Sequence, residues 1–323
     1  MTGAAGFVGQ WLCGALLRGG WEVYGARLDS DTAALLRPGP AAGGLSNEEA
    51  GAVRWLSCDV TRHGEIARAL DASAPDAIFH LAGVAYLPAA RSDPAAALAV
   101  NTVSAASLLA QLRRRKHAGT LDPVVVMVGS GEQYGAHPAD EQPLPESAAQ
   151  RPASVYAASK AAQEVVALQA FRADGVRVVA TRPFNHSGAG QSPNFVIPAL
   201  VRRALALRGS RGATLQVGNT TPVRDFLHVA DVVRAYILLA ERGEAGEVYN
   251  ISSGNGVEIG ELATRILTIA GADATLESDP SLVRPVDVPI LVGDPSRLGS
   301  HTGWSAEHSL DTIIEDVIRA TAH

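Results

Sequence analysis

A tyrosine and a lysine lie four positions apart in the segment Tyr156-Ala-Ala-Ser-Lys160. On an α-helix this spacing places both side chains on one face, one turn apart. A nearby ammonium group favours the phenolate and so lowers the pKa of the tyrosine. A phenol tuned in this way can give or take a proton at a carbinol or a carbonyl. The same spacing occurs by chance in many helices, so the pair predicts acid–base chemistry only together with other features.

A serine and a glutamate follow the apolar strand predicted over Val124–Val128. Ser130 would lie at the carboxyl edge of a parallel sheet, where ligands bind in such folds. Its hydroxyl could hold a substrate carbonyl oxygen while Tyr156 transfers the proton, and the alternative is an ordinary Ser/Gly turn. Glu132 could act as a second base, or it could be a surface or loop-capping carboxylate.

The chain opens with glycines at three-residue spacing, in Met1-Thr-Gly-Ala-Ala-Gly-Phe-Val-Gly9, directly before a helix predicted over 10–18. Glycines at this spacing allow a tight turn and close approach of a pyrophosphate to a helix N-terminus. The alternative is a glycine-rich turn before an ordinary helix. The motif normally follows a β-strand, and no residues remain here to form one. We therefore expect the given start to lie inside the true reading frame and the sheet to lack its first strand.

Composition excludes several classes of protein. The 323 residues include 47% hydrophobic and 19% charged residues, with a net charge of −6. The absence of a long basic run argues against a nucleic-acid surface. Cys13 and Cys58 show no metal-ligand spacing, and no other cluster does, so we predict buried thiols and no metal. Without a signal peptide or an apolar run of eighteen residues, we expect a cytoplasmic protein that does not contact a membrane.

Strands and helices alternate along the first half of the chain, which predicts an α/β fold with a Rossmann-like, doubly wound parallel sheet. The predicted strands are 21–26, 53–58, 77–81, 124–128, 176–181 and 248–251, and the predicted helices are 10–18, 93–114, 154–172, 194–208 and 231–241. Residues 183–198 are rich in Gly, Pro and Asn and indicate a loop over a site. We expect a dinucleotide-binding domain (1–182 and 226–252) and a smaller C-terminal α/β region that binds substrate (183–225 and 253–323).

The ordered set of motifs resembles the extended short-chain dehydrogenase/reductase family, also called the NAD-dependent epimerase/dehydratase family, over nearly the whole chain. The resemblance implies that Tyr156 is the acid/base, that Lys160 lowers its pKa and holds the nicotinamide ribose, and that Ser130 orients the substrate. The cofactor-binding residues implied are Gly3, Gly6, Phe7, Val8, Gly9, Arg27, Asp59, Val60, Leu81, Ala82, Gly83, Asn101, Tyr156, Lys160 and Pro183.

Narrower patterns resemble family members that act on GDP-linked sugars. The stretch Arg182-Pro-Phe-Asn-His-Ser-Gly-Ala-Gly-Gln191 is similar to an R-P-F-N-H-x-G-P-G-Q motif, with Ala189 in place of proline. The resemblance implies that the substrate-binding residues are Tyr86, Ser130, Asn185 and Arg224. An arginine fork suits diphosphate oxygens, and the alternative for Arg224 is an exposed salt bridge to Asp225 or Asp231. His186 is more consistent with a loop histidine bound to backbone than with an acid/base.

Two activities of these relatives have to be separated. A GDP-mannose 4,6-dehydratase needs a carboxylate base beside the serine, and Glu132 stands at that place. A GDP-4-keto-6-deoxy-D-mannose reductase needs no such carboxylate base. The loop His80–Pro88 and the segment Ser130-Gly-Glu-Gln-Tyr-Gly135 resemble the corresponding segments of the reductase more closely than those of the dehydratase. We therefore expect NAD(P)H-dependent reduction at C4 to GDP-D-rhamnose, with the dehydratase, or another nucleotide-sugar epimerase or dehydratase, as the alternative.

The remaining expectations concern the cofactor and the assembly. Arg27 and Asp29 follow the predicted strand 21–26, and the arginine comes first, which favours NADP(H) through the 2′-phosphate, with NAD(H) possible. The Ala/Leu-rich helices at 93–114 and 154–172 resemble the family's four-helix dimer interface, so a homodimer is expected; the alternative is burial within the monomer. A non-catalytic dinucleotide sensor would commonly lack the Ser/Tyr/Lys set, which makes that class a poor fit.

Overall fold

Twelve strands are found in the computed structural model, which describes residues 1–28, 45–282 and 288–322. Within those residues the strands, in chain order, are β1 (Tyr24–Arg27), β2 (Arg54–Ser57), β3 (Ala77–His80), β4 (Val124–Val128), β5 (Val178–Pro183), β6 (Asn185–Ser187), β7 (Ala213–Val217), β8 (Val223–His228), β9 (Val248–Ile251), β10 (Gly256–Glu258), β11 (Ala274–Ser278) and β12 (Ile290–Leu291). The predicted strands are therefore present: 124–128 and 248–251 match at both ends, and the ends of the others differ by at most three residues.

The helices of the same described residues are α1 (Phe7–Arg18), α2 (Asn47–Ala52), α3 (His63–Ser73), α4 (Leu87–Ser92), α5 (Pro94–Leu98), α6 (Ser104–His117), α7 (Val155–Asp174), α8 (Val196–Ala206), α9 (Val229–Arg242), α10 (Ile259–Ala270), α11 (Ser296–Thr302) and α12 (Leu310–Thr321). The start of α7 is set by Ser154, whose side chain accepts a hydrogen bond from the backbone N–H of Ala157. Its end is set by Gly175, in the left-handed region at φ 64°.

The large sheet is parallel and covered on both faces, as a doubly wound fold requires. Strands β3, β4, β5 and β9 pair in that order, and β1 pairs with β2. Alternate residues of β4 enter two different cores: Val126 packs with residues of α1 and α9, whereas Val125 and Met127 pack with residues of α3, α6 and α7. This arrangement confirms the predicted Rossmann-like architecture and explains why β4 is almost continuously apolar.

Met1 and Thr2 occupy the position between β1 and β3. Thr2 forms isolated parallel bridges to Ala26 and His80, and the N-terminal ammonium of Met1 donates to the carbonyl of Tyr24 at 2.8 Å. Beside these two residues lies a cavity of about 240 Å³ between β1, β3 and α3, whose lining includes Trp21, Val23, Leu56, Ile66, Phe79 and Leu108. The gap expected in the centre of the sheet is therefore found among the described residues, and Thr2 bridges it near the carboxyl ends of β1 and β3.

The second half of the chain adds two smaller sheets. Strand β8 pairs with β10, β12 and β6, and β7 pairs in parallel with β11. The helices α8, α10 and α12 enclose a separate apolar core around Leu262, Ile266 and Ile313. The segment 183–198, predicted as a loop, contains the short strand β6, which places Asn185 beside the carboxyl edge of the large sheet.

The helix predicted over 93–114 is interrupted by a π-helical turn at Ala99–Val103, between α5 and α6. Such turns insert one residue into a helix and often occur at functional sites. The whole segment Pro94–His117 contains an 18-residue window of mean hydropathy 1.5, which corrects the expectation that no such apolar run exists. Of that window, 44% is buried inside the protein, and the segment packs against α7.

Candidate active site

Tyr156 and Lys160 lie on the first two turns of α7, as the four-residue spacing predicts. The Lys160 side chain is buried, and its ammonium donates to the carbonyl of Val128 at 2.7 Å and to Oε1 of Gln163 at 2.9 Å. Burial lowers the pKa of Lys160 to about 7. The carboxyl end of β4 and the next turn of α7 therefore hold this lysine at the site.

The pKa of Tyr156 is raised in this structure, although the resemblance implies that Lys160 lowers it. Burial raises the pKa of Tyr156 to about 12, a side-chain hydrogen bond with Ser130 opposes that rise, and the charge of Glu132 adds to it. The ammonium of Lys160 is engaged by Val128 and Gln163 instead. At neutral pH Tyr156 is therefore a protonated phenol, which is the form that can donate a proton.

Ser130 follows β4 and begins a short 3₁₀ turn, Gly131–Tyr134. Its hydroxyl oxygen accepts a hydrogen bond from the backbone N–H of Glu132 at 3.2 Å, and its own N–H donates to Oε1 of Gln133 at 2.8 Å. Ser130 lowers and Glu132 raises the pKa of Tyr156, so the three polar side chains lie close together. The structure thus assembles Ser130, Glu132, Tyr156 and Lys160 in one place.

The glycine turn before α1 has room for backbone but not for side chains. Gly3 lies in the left-handed region at φ 67°, and a Cβ there would lie 2.8 Å from the backbone nitrogen of Ala82. A Cβ at Gly9 would lie 2.2 Å from the carbonyl oxygen of Gly3. Gly6 is the N-cap of α1 and supplies no side-chain cap, so the first N–H groups of the helix, from Phe7 and Val8 onward, have no hydrogen-bond partner within the helix. This cradle fits the pyrophosphate of a dinucleotide.

The end of β3 is tied to the glycine turn. The Thr2 hydroxyl accepts from the backbone N–H of Ala82 at 3.2 Å and lies 3.0 Å from Nδ1 of His80. Burial, followed by the charge of Lys160, lowers the pKa of His80 to about 3, so its ring is neutral. Leu81 packs against the same core as α1. The segment His80–Gly83 therefore lies directly against the glycine turn.

Asn101 holds the loop that follows Gly83. Its Oδ1 accepts from the N–H of Val84 at 2.7 Å, and its Nδ2 donates to the hydroxyl of Ser159 at 2.8 Å. A Cβ at Gly83 would lie 3.0 Å from Oδ1 of Asn101 and 3.4 Å from Nζ of Lys160. Asn101 thus joins the cradle to α7 and places Gly83 directly against the lysine.

The other predicted cofactor residues are spread around the same edge of the sheet. The carboxylate of Asp59 accepts from the hydroxyl and N–H of Thr61, which lowers its pKa. Val60 is buried, and Pro183 ends β5. Arg27 lies over the ring of Trp55 at 4.8 Å, and its buried Nη1 has no hydrogen-bond partner among the described residues. Asp29 lies outside the described residues.

The predicted substrate residues lie on three other elements: Asn185 on β6, Arg224 on β8 and Tyr86 at the start of α4. Nδ2 of Asn185 is buried without a hydrogen-bond partner in the part of the chain described. Arg224 is buried, at 9% exposed, and its Nη1 donates to the carbonyl of Val223, so the alternative of an exposed salt bridge is wrong. Tyr86 is 39% exposed. Nδ1 of His186 donates to the carbonyl of Phe184 at 2.9 Å and its ring stacks on Phe7 at 6.4 Å, as a backbone-bound loop histidine does.

Four polar residues that the sequence reasoning missed support this site: Gln133, Ser159, Gln163 and Glu164. Each is buried and contacts a predicted residue or its turn. A signal was available for Glu164, which continues the four-residue spacing of Tyr156 and Lys160 along α7. Among residues 1–28, 45–282 and 288–322, no group of three or more His, Cys, Asp or Glu side chains could hold a metal ion.

The comparisons with known proteins agree with this geometry. The family model described as GDP-mannose 4,6 dehydratase matches residues 1–317. The chain is 38% identical to GDP-6-deoxy-D-mannose reductase of Pseudomonas aeruginosa, over 75% of this chain and 80% of that protein. The solved structure of RMD from Pseudomonas aeruginosa complexed with NADPH is 30% identical, with a TM-score of 0.79 over 99% of this chain and 96% of that one.

A second solved structure, UDP-glucose 4-epimerase from Thermus thermophilus in complex with NAD, is 27% identical, with a TM-score of 0.82 over 99% of this chain and 97% of that one. The named relatives are reductases, dehydrogenases, dehydratases and epimerases built on one fold. Together with the glycine cradle and the Ser/Tyr/Lys set, these matches show an NAD(P)-dependent oxidoreductase. The chain belongs to the GDP-mannose 4,6-dehydratase family within the NAD-dependent epimerases and dehydratases.

Proposed function

We propose that this enzyme reduces the C4 keto group of GDP-4-keto-6-deoxy-D-mannose and forms GDP-D-rhamnose, with NADP(H) as the preferred cofactor and NAD(H) as a second possibility. The likeness to GDP-6-deoxy-D-mannose reductase carries this proposal, because it covers three quarters of the chain at 38% identity. The state of Tyr156 supports it, since a phenol with a pKa of about 12 is protonated at neutral pH and suits a reduction that ends in proton donation.

In this mechanism the bound cofactor supplies the hydride that C4 receives. Ser130 donates a hydrogen bond from its hydroxyl to the C4 oxygen and keeps its proton, while its own oxygen accepts from the Glu132 N–H. Tyr156 then gives its proton to that oxygen as the carbonyl becomes an alcohol. Lys160 would hold the nicotinamide ribose of the bound cofactor with the ammonium that now donates to Val128 and Gln163.

At the substrate side, we place the sugar nucleotide between β6 and the edge of the large sheet. The unpartnered Nδ2 of Asn185 is a donor that a sugar or phosphate oxygen would satisfy. The guanidinium of Arg224 suits the diphosphate. The exposed ring of Tyr86 is available to pack on the sugar. For the chain as a whole we keep the division into a dinucleotide-binding part (1–182 and 226–252) and a substrate-binding part (183–225 and 253–323).

A GDP-mannose 4,6-dehydratase is the second candidate, and one observation favours it. The charge of Glu132 raises the pKa of Tyr156, so this carboxylate lies close enough to the phenol to serve as the base at C5 in a dehydratase. A dehydratase oxidises C4, eliminates water across C5 and C6 and returns the hydride to C6, and so consumes no cofactor overall. The two candidates therefore differ in cofactor balance.

The deciding experiment incubates the purified protein with NADPH and either GDP-mannose or GDP-4-keto-6-deoxy-D-mannose and follows the absorbance of reduced nicotinamide. Loss of NADPH only with the keto sugar is the result expected. A 4-keto product from GDP-mannose without net cofactor consumption would establish the dehydratase instead. Normal cofactor binding without turnover of any nucleotide sugar would point to a dinucleotide sensor.

The variant Tyr156→Phe tests the proton donor. We expect kcat to fall by about 10²–10⁴-fold, because proton transfer by a positioned side chain contributes that much. Binding of NADPH, followed by fluorescence titration, should change little. A Tyr156→Phe enzyme with undiminished kcat would contradict the assignment, whatever the substrate.

We also propose a cytoplasmic homodimer. Exposed apolar side chains lie on the helices that would face a partner: Leu98 on α5, Val103 in the π-helical turn and Val165 on α7, at 41%, 58% and 63% exposed. A second copy would cover them. Sedimentation or light scattering should give twice the chain mass of 33.5 kDa, and Val165→Asp should shift the protein toward monomer, while a monomeric parent would refute the dimer.

A further inference from the structure

The helix face that carries Tyr156 and Lys160 continues to a third polar residue. Glu164 follows Lys160 by four positions on α7 and is 4% exposed. A carboxylate is costly to bury unless opposite charges and hydrogen-bond donors compensate it. The mechanism above gives Glu164 no role, so its burial next to the reacting residues needs a reason.

Four donors surround the carboxylate of Glu164. Arg182, at the end of β5, binds it with two nitrogens: Nε donates to Oε2 at 2.8 Å and Nη2 donates to Oε1 at 2.7 Å. Gln133 donates from Nε2 to Oε2 at 2.9 Å, and Gln150 donates from Nε2 to Oε1 at 2.6 Å. Both carboxylate oxygens are therefore fully bound, and the ion pair is held in one geometry.

Gln133 links the carboxylate of Glu164 to the backbone of Ser130. Because its Nε2 donates to Glu164, its Oε1 is oriented to accept, and it accepts the backbone N–H of Ser130 at 2.8 Å. A Cβ at Gly129 would lie 2.4 Å from the same Oε1, so the amide is packed tightly under the turn. The far end of the turn is held by the same arginine, whose Nη1 donates to the hydroxyl of Tyr134 at 2.8 Å.

We propose that Gln133 and Glu164 are positioning residues that fix the hydroxyl of Ser130 relative to Tyr156. The proposal rests on the proposed reductase function for its kinetic readout. The helix that carries the proton donor also carries the carboxylate that holds the opposing turn, so Ser130 and Tyr156 are tied through one connected set of hydrogen bonds. A displacement of about 1 Å at a reacting group can cost on the order of 10²-fold in rate. Hydrogen bonds that hold Ser130 in place should therefore affect kcat.

The test compares Gln133→Met with Gln150→Met. Both substitutions remove one donor from the carboxylate of Glu164 and keep the side-chain volume similar, but only Gln133 contacts Ser130. We expect Gln133→Met to lower kcat by about 10–100-fold, as losses of supporting hydrogen bonds do, with KM for NADPH and for the keto sugar nearly unchanged. Gln150→Met should keep kcat close to that of the parent.

A second measurement does not depend on turnover. Hydrogen exchange of the segment 128–135, followed by mass spectrometry, should accelerate in Gln133→Met at the amide of Ser130 and stay unchanged in Gln150→Met. Equal losses of kcat in the two variants, or unchanged exchange in Gln133→Met, would overturn the proposal. If the parent enzyme reduces no keto sugar, the proposed function fails, and the exchange comparison still decides the role of Gln133.

Glu164→Gln provides a further check, because it keeps the shape but removes the charge that binds Arg182. If this variant folds, with unfolding monitored by circular dichroism, it should show the same selective loss of kcat. A folded Glu164→Gln enzyme with parental kcat and parental exchange at segment 128–135 would also overturn the proposal.

Discussion

The two sides of the large sheet are built differently. On the side of β4, β5 and α7, the buried polar groups bind one another: Arg182, Glu164 and Gln133 form a connected set beneath Ser130. On the side of β1 and β2, Met1 and Thr2 join β1 to β3 in the part of the chain that the structure describes, and a cavity of about 240 Å³ lies beside them.

This difference predicts which kinds of substitution each side of the sheet tolerates. Where every buried donor has its acceptor, removing one partner leaves the other unsatisfied, which costs more than the bond itself contributes. Where space remains between elements, added apolar atoms can find contacts instead of clashes. We therefore expect substitutions on the α7 side to act through lost partners and substitutions on the β1 side to act through volume.

The largest effect on stability is expected for Arg182→Met. This change leaves the carboxylate of Glu164 buried without its charged partner, which costs about 3–5 kcal/mol. Arg177→Met is the control, because Arg177 is half exposed, at 51%, and its pair with Asp122 lies at the surface; we expect less than about 1 kcal/mol there. Urea unfolding followed by circular dichroism measures both. Similar losses of unfolding free energy in the two variants would show that the buried pair contributes no more to stability than the surface pair.

Lys160→Met should have a pH-dependent effect. The pKa of Lys160 is about 7 in the folded chain, against 10.5 for a free lysine. Below pH 7 Lys160 is protonated in both the folded and the unfolded chain, and the folded chain bears the full cost of burying the ammonium charge. Between pH 7 and about 10 only the unfolded state binds the proton, so the stability of the parent rises with pH. The variant lacks this rise, so its stability relative to the parent should fall by about 2–4 kcal/mol between pH 6 and pH 10. A constant difference would contradict the lowered pKa.

Sequence patterns predicted the parts of the site that follow from local spacing. The glycine turn, the strand Val124–Val128 and the pair on α7 each follow from a short pattern with a physical cause. The raised pKa of Tyr156 does not follow from such a pattern, because it depends on burial and on the charge of Glu132. Glu132 comes near the phenol only after the turn has folded. Contacts such as Gln133 to Glu164 join residues 31 positions apart, and spacing alone does not encode them.

The π-helical turn shows the same limit within a helix. A continuous Ala/Leu-rich pattern predicted one helix over 93–114, since each residue suits a helix. The extra residue at Ala99–Val103 is stabilised by tertiary contacts of Asn101 with Val84 and Ser159. Its position therefore depends on partners from other elements, which the local pattern does not contain.

The glycine turn is the exception on the β1 side, because it is tightly packed. In Gly9→Ala the new Cβ would meet the carbonyl oxygen of Gly3 at 2.2 Å, so the backbone has to move. Overpacking of this kind costs about 1–3 kcal/mol, and NADPH binding should weaken with it. Gly14→Ala on the same helix is the control, since its Cβ would meet only the end of the Arg18 side chain at 3.0 Å. Calorimetric titration with NADPH should separate them, and equal affinities would refute the cradle at Gly9.

The smallest effect, and the one of opposite sign, is expected at the cavity beside Met1. Ala69 lies on α3 and lines this cavity, whereas Ala72 on the same helix is exposed. A flexible methionine at position 69 can fill irregular space, so Ala69→Met should raise the stability by about 1 kcal/mol. Ala72→Met should leave it unchanged, because its side chain would extend into solvent. Thermal unfolding of both variants measures the difference. A loss of stability in Ala69→Met would mean that the β1 side is as closely packed as the α7 side, and the contrast between the two sides would then rest on hydrogen bonding alone.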